Sequence, residues 1–161
     1  MKKTATIWWI LGFVIVVVGL FAWSNVATRH KSSSRTDREV ALTCTTDMAT
    51  QFHIHPILKI IVNGHEQTIS ANIGIQPACM NSLHTHDTTG VIHVESPERR
   101  DFTLADLFAV WKQTFTKDQI LAFKVDDTHR IRVTVNGKEV DTYENTVLRD
   151  KDQIVISYEP R

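Results

Sequence analysis

The chain has 161 residues, 42% of them hydrophobic and 22% charged, enough for one domain and a further segment. Four prolines and six glycines exclude collagen-like and low-complexity architectures, and the apolar content excludes wholesale disorder. Formal charge is zero, yet residues 1–38 hold six basic side chains and one acidic, which leaves 12 basic and 17 acidic over residues 39–161. The larger part is mildly acidic, and that argues against a nucleic-acid partner. No phosphate-binding loop, Gly-x-Ser-x-Gly elbow or paired zinc-finger cysteines occur in the sequence.

From Ile7 to Trp23 the chain runs 17 residues without a charge. Extended to residues 5–27, this stretch is long enough to span a bilayer core of ~30 Å as a helix. Trp8, Trp9 and Trp23 lie near its ends, where indole rings favour the interface, and Lys2 and Lys3 would stay cytoplasmic. The reading favoured here is an uncleaved signal anchor over residues 1–27, with the bilayer as partner and the C-terminal part exported. The alternative is a signal peptide cleaved near Ala22-Trp23-Ser24, although the apolar run is longer than a usual signal core. Residues 28–38, polar and basic, read as a tether, and residues 39–161 as the exported domain.

The exported part opens with Phe52–Val62 and a strand reaching Ile75, joined by Asn63-Gly64. Asn-Gly between two alternating apolar runs signals a tight hairpin, since both turn residues need positive φ. Pairing Val62 with His65 puts Leu58, Ile60, Val62, Ile69, Ala71 and Ile73 on the core face and turns His53 and His55 away. A second hairpin has Leu83–His86, a turn Asp87–Gly90 and Val91–Glu95. Closed on four turn residues, it sets His86 opposite Val91 and His84 opposite His93. Alternation then sends Leu83, Thr85, Ile92 and Val94 to the core, and His84, His86, His93 and Glu95 to the other face.

One helix follows. Thr103 and Asp106 resemble a capping box, and Leu104, Leu107, Phe108, Trp111 and Phe115 recur at helical spacing as a buried stripe. Asn136-Gly137 marks a third hairpin within Arg130–Val140, and Leu148–Tyr158 is a polar turn feeding a closing strand. Three hairpins, one helix and a last strand predict an α+β domain, a mixed β-sheet packed on one helix. The closing pattern Leu148-x-Asp150-x-Asp152-x-Ile154-x-Ile156 resembles the last strand of β-grasp (ubiquitin-like) domains.

Six of the eight histidines fall between residues 53 and 93. A His-x-His pair on a strand places both imidazoles on one side, about 7 Å apart by the strand rise. The pairs His53/His55 and His84/His86, with His93 opposite His84, bring up to five imidazoles to one surface, a donor set suited to copper or zinc. Asp87 or Glu95 supplies an oxygen ligand or orients a histidine. The competing reading is a polar surface of histidines bonded to carboxylates. His65, His129 and His30 read as surface or tether residues. Cys44 and Cys79, the only cysteines, read as a disulfide in an oxidising compartment, with Cu⁺ ligation by Cys44, Cys79, Met48 and Met80 as the minority alternative.

Phe52-His-Ile-His-Pro56 with Asn63-Gly64 and Ile73-Gly-Ile75, then Cys79, Leu83-His-Thr-His-Asp87, Gly90-Val-Ile-His-Val-Glu-Ser-Pro97 and Phe102-Thr-Leu104, form a connected set of motifs. Over about residues 44–116 the chain is similar to a family of exported or membrane-anchored prokaryotic domains that are mostly uncharacterised. The resemblance implies an anchored extracytoplasmic domain with a recurring histidine cluster and cysteine pair, and it names no activity. Three roles stay open. The first is metal binding through His53, His55, His84, His86 and His93. The second is an envelope scaffold that recruits a protein partner through a polar histidine surface. The third is a metal-dependent hydrolase or oxidase with Glu95 or Asp87 as general base. Binding without turnover is favoured, because no substrate pocket is legible and the chain is short for a pocket plus a core.

Overall fold

The computed structural model describes residues 13–25, 35–46 and 50–161. The chain divides into two compact units, Met1–Thr36 and Asp37–Arg161. In the first, residues 13–25 form helix α1, with Phe13, Phe21 and Trp23 exposed. Among the described residues no helix is long and apolar enough to cross a membrane. The expected span over residues 5–27 begins and ends outside the described residues.

The second unit runs α2 (Asp37–Leu42), β1 (Cys44–Thr45), β2 (Phe52–Ile54), β3 (Ile57–Val62), β4 (His65–Gln67), β5 (Ile75–Gln76), β6 (Cys79–Asn81), β7 (Leu83–His84), β8 (His93–Ser96), α3 (Leu104–Trp111), β9 (Phe115–Thr116), β10 (Gln119–Ile120), β11 (Phe123–Lys124), β12 (His129–Val135), β13 (Lys138–Val140) and β14 (Gln153–Pro160). The expected mixed α+β character holds. The main sheet has the order β13-β12-β14-β3-β4, with β14 and β3 parallel and the other neighbours antiparallel. Three small three-stranded sheets accompany it, β2-β8-β7, β1-β6-β5 and β11-β10-β9.

Both Asn-Gly turns form as expected. Asn63 and Gly64 have φ 49° and 82°, Asn136 and Gly137 have 52° and 78°, and Val62 pairs with His65. Leu58, Ile60 and Val62 of β3 meet Ile154 and Ile156 of β14 and Ile131 and Val133 of β12 in one core, which Leu104, Leu107 and Phe108 of α3 complete. The N-terminus of α3 is held by Asp106, whose Oδ2 accepts from the Thr103 backbone N–H and hydroxyl at 2.9 Å each. Asp106 Oδ1 also lies 3.0 Å from Arg38 Nε on α2, so Asp37 and Arg38 fold with the second unit.

Several expectations need correction. Phe52–Val62 is two strands in two sheets, broken at His55-Pro56, where proline offers no N–H and restricts the residue before it. The strand through Ile75 stops at Gln67, because β3 uses its next donor elsewhere: Leu58 N–H bonds the Gly90 carbonyl at 2.9 Å. Ile69 and Ile73 are still buried, but Ala71 is exposed in the turn that replaces the strand. The helix ends at Trp111, since Lys112 turns left-handed at φ 59°, and Phe115 reaches the core from β9 instead. The second hairpin pairs Leu83 with Val94 and His84 with His93, but Val91 bridges to Ile57 and not to His86.

Candidate metal centre

The three-stranded sheet β2-β8-β7 collects the histidines, because β8 is its middle strand. On one side β8 pairs His53 of β2 with Glu95, and on the other it pairs His84 of β7 with His93. Side chains directly opposite across an antiparallel ladder share a face, so His53, Glu95, His93 and His84 follow from register alone. Leu83, Ile92 and Val94 point the other way into the core and fix that register. His55 and His86 lie just past the ends of β2 and β7, where the chain is free to fold their rings inward. The ring centroids of His53 and His55 are consequently 4.3 Å apart, and those of His84 and His86 5.0 Å, closer than the strand rise alone implies.

All five predicted histidines converge. His93 is central: its ring lies 4.6 Å from His55, 4.5 Å from His86, 5.3 Å from His84 and 5.7 Å from His53. His53 Nε2 is 3.5 Å from His93 Nδ1. Two nitrogens bound tetrahedrally to one ion at zinc–imidazole bond lengths are about 3.3 Å apart. Two triads, His53/His55/His93 and His84/His86/His93, each offer one ligand atom per residue within 4.8 Å of the others.

His84 departs from the expected solvent face. It is fully buried, stacked on His93 with 17° between the ring planes. Its Nδ1 lies 3.1 Å from the Asn81 carbonyl, which can only accept, so Nδ1 carries the proton and Nε2 carries the lone pair. That Nε2 is buried with no hydrogen-bond partner. Burial lowers the His84 pKa to about 4 against the opposing pull of the Asn81 bond and Glu95, and the ring is neutral at physiological pH. His93 is lowered too, first by burial and then by the neighbouring imidazoles. Both are held in the protonation state that binds metal.

Glu95 sits at the meeting point of the rings. Its Oε1 is 3.1 Å from His53 Nε2, 3.9 Å from His84 Nε2 and 4.0 Å from His93 Nδ1, and its Oε2 accepts from the Thr50 hydroxyl at 3.3 Å. Asp87 is committed to its own turn, accepting from the Thr89 N–H and hydroxyl, bonds that lower its pKa. Two contacts have no local signal in the sequence. One is the Asn81 carbonyl that orients His84. The other is Asp150, whose Oδ1 accepts from the His55 backbone N–H at 3.0 Å from a turn 95 residues away.

Cys44 and Cys79 form the expected disulfide, with Cα atoms 5.4 Å apart, which removes both thiolates as Cu⁺ ligands. It lies in the β1-β6-β5 sheet, where Cys44 is paired with Asn81. The Asn81 side chain donates to the Ala41 carbonyl of α2 at 2.9 Å, so one residue ties the disulfide strand, α2 and the His84 ring together. His65 and His129 stand apart from the cluster, His129 being stacked on Tyr158. The chain matches no protein-family model, no curated protein and no solved structure.

Proposed function

We propose that this protein is a membrane-anchored, extracytoplasmic metal-binding domain that holds copper or zinc through His53, His55, His84, His86 and His93. The observation that carries the reading is the buried His84 Nε2 lone pair, unpartnered and turned toward the cluster. A buried acceptor without a partner is costly, and a cation removes that cost. The Nδ1–H···O=C bond behind it is the contact that orients metal-ligating imidazoles. Neutral nitrogen donors with one nearby carboxylate suit Zn²⁺ and Cu²⁺. Glu95 Oε1, 3.1 Å from His53 Nε2, places the carboxylate beside that ligand nitrogen.

The disulfide and the uncharged run Ile7–Trp23 support an exported, anchored location, as does the resemblance to exported or membrane-anchored prokaryotic domains. The order β4-β3-β14-β12-β13, a hairpin, helix, hairpin and last strand with β3 and β14 parallel at the centre, supports a β-grasp scaffold for the domain. The histidine sheet is then an addition beside that scaffold.

Thermal unfolding of the full chain with and without Zn²⁺ or Cu²⁺ tests this. A metal present at about 100 times its Kd stabilises the folded state by about 2.7 kcal/mol, so the expected result is a clear rise in Tm. The variant His84→Ala/His86→Ala is expected to lose about half of that rise or more. Equal shifts in both proteins would overturn the site.

A further inference from the structure

The five imidazoles are not equivalent ligands around one point. They fall into two triads, and His93 belongs to both. Its ring sits edge-on to His55 at 4.6 Å and edge-on to His86 at 4.5 Å, one from each His-x-His pair. Glu95 is shared in the same way, since one oxygen faces His53, His84 and His93 at 3.1–4.0 Å. Each triad has one exposed histidine, His53 in the first, its side chain 43% exposed, and His86 in the second; beside them His55 is half-buried and His84 wholly buried, so the second triad reaches deeper.

We propose that the cluster carries a single transition-metal ion between two stations, with His93 and Glu95 as shared ligands and the two His-x-His pairs exchanging places on the ion. The proposal rests on the metal-binding reading above and adds a function to it, which is transfer of the ion as cargo. Each station supplies three imidazoles, with the Glu95 oxygen beside two of them, His53 and His93 in one and His84 and His93 in the other, a nitrogen-rich donor set with one carboxylate at hand that suits Zn²⁺ and Cu²⁺. His53 and His55 form the outer station, where an ion arrives from solvent or from a donor. The inner station is built on His84, whose ring is already oriented by the Asn81 carbonyl.

Moving from one station to the other replaces two imidazoles with two imidazoles while the bonds to His93 and Glu95 persist. The ion therefore need not be released to water, and its charge and oxidation state do not change. Two ions at once are disfavoured, because both triads draw on His93 and the one carboxylate among the rings offers too little negative charge to hold two dications side by side.

The test uses Co²⁺ as a visible probe, titrated into the purified full chain. Wild type is expected to saturate at one equivalent. The inner variant His84→Ala/His86→Ala is expected to bind one equivalent at least roughly tenfold more weakly, with a shifted absorption band, because the outer station alone holds the ion. The outer variant His53→Ala/His55→Ala is expected to keep one equivalent but to load several-fold more slowly. His93→Ala is expected to weaken binding beyond either pair. Since His84 is buried, His86→Ala alone, with its fold checked by circular dichroism, repeats the inner test should the double variant not fold. Two equivalents in wild type would overturn the proposal, as would complete loss of binding in either pair variant, which would mean one fixed site. No Co²⁺ on the wild-type chain would instead overturn the metal-binding reading itself.

Discussion

His84 is where sequence, stability and chemistry meet in one side chain. Its alternation with Leu83 and Thr85 puts it on the histidine face, yet the ring is buried and its pKa falls from 6.5 to about 4. As the pH drops below 6.5, the unfolded chain takes up a proton at this histidine while the folded one does not. Stability of the metal-free protein is therefore fully present above about pH 6.5 and declines toward pH 4, by on the order of 3 kcal/mol from His84. His93, shifted in the same direction, adds to the decline. Urea unfolding midpoints across this range check the effect, and His84→Leu is expected to flatten most of it. The opposition of His84 and His93 was legible in the sequence from the apolar alternation of Leu83, Ile92 and Val94, although the expected pairing of His86 with Val91 at the turn does not form. The orientation of the ring was not. It depends on a backbone carbonyl at Asn81, and no residue type signals which carbonyl is free.

At the scale of the elements, two short features place the site. Pro56 ends β2 and lets β3 join a different sheet, which frees His53 and His55 to meet β8. Gly90 then presses the histidine hairpin onto β3. It has φ 83°, its carbonyl accepts from Leu58 N–H, and a Cβ there would run into the Leu58 carbonyl oxygen. Gly137 has a similar φ of 78° but open space around it. Gly137→Ala is accordingly expected to cost about 1 kcal/mol from backbone strain alone. Gly90→Ala is expected to cost roughly 2 kcal/mol or more, because the hairpin must also move off β3. Chemical denaturation of the two variants separates strain from collision. The tight Asn-Gly turns were legible because their chemistry is local. The break at Pro56 was signalled by the residue itself, but the new partner of each half depends on β8 and β14, some 40 and 100 residues away.

For the whole molecule, long-range connections decide what local signals leave open. The parallel pairing of β14 with β3 places Ile154 beside Leu58 and closes the main sheet, a contact that periodicity cannot reveal. The disulfide acts over a shorter span. It joins residues 35 apart, and in the chain-entropy picture reduction is expected to cost about 3–4 kcal/mol. Because Cys44 pairs with Asn81, which orients His84, reduction is also expected to weaken metal binding. Metal titration of the full chain with and without reductant checks this, and unchanged affinity would separate the disulfide from the site. The anchor is testable on the same scale. The full chain is expected in the membrane fraction, resistant to alkaline washing, and a chain lacking residues 1–27 is expected in the soluble fraction.

The central claim is that the converged histidines bind a transition metal. Elemental analysis of the full chain, purified from a copper- and zinc-supplemented culture without chelators, tests it most directly beside His84→Ala/His86→Ala. Copper or zinc near one equivalent in the wild type, and much less tightly retained in the variant, is the expected result. Metal-free wild type, even after reconstitution with each ion, would contradict the claim and leave the five imidazoles as a structural polar cluster.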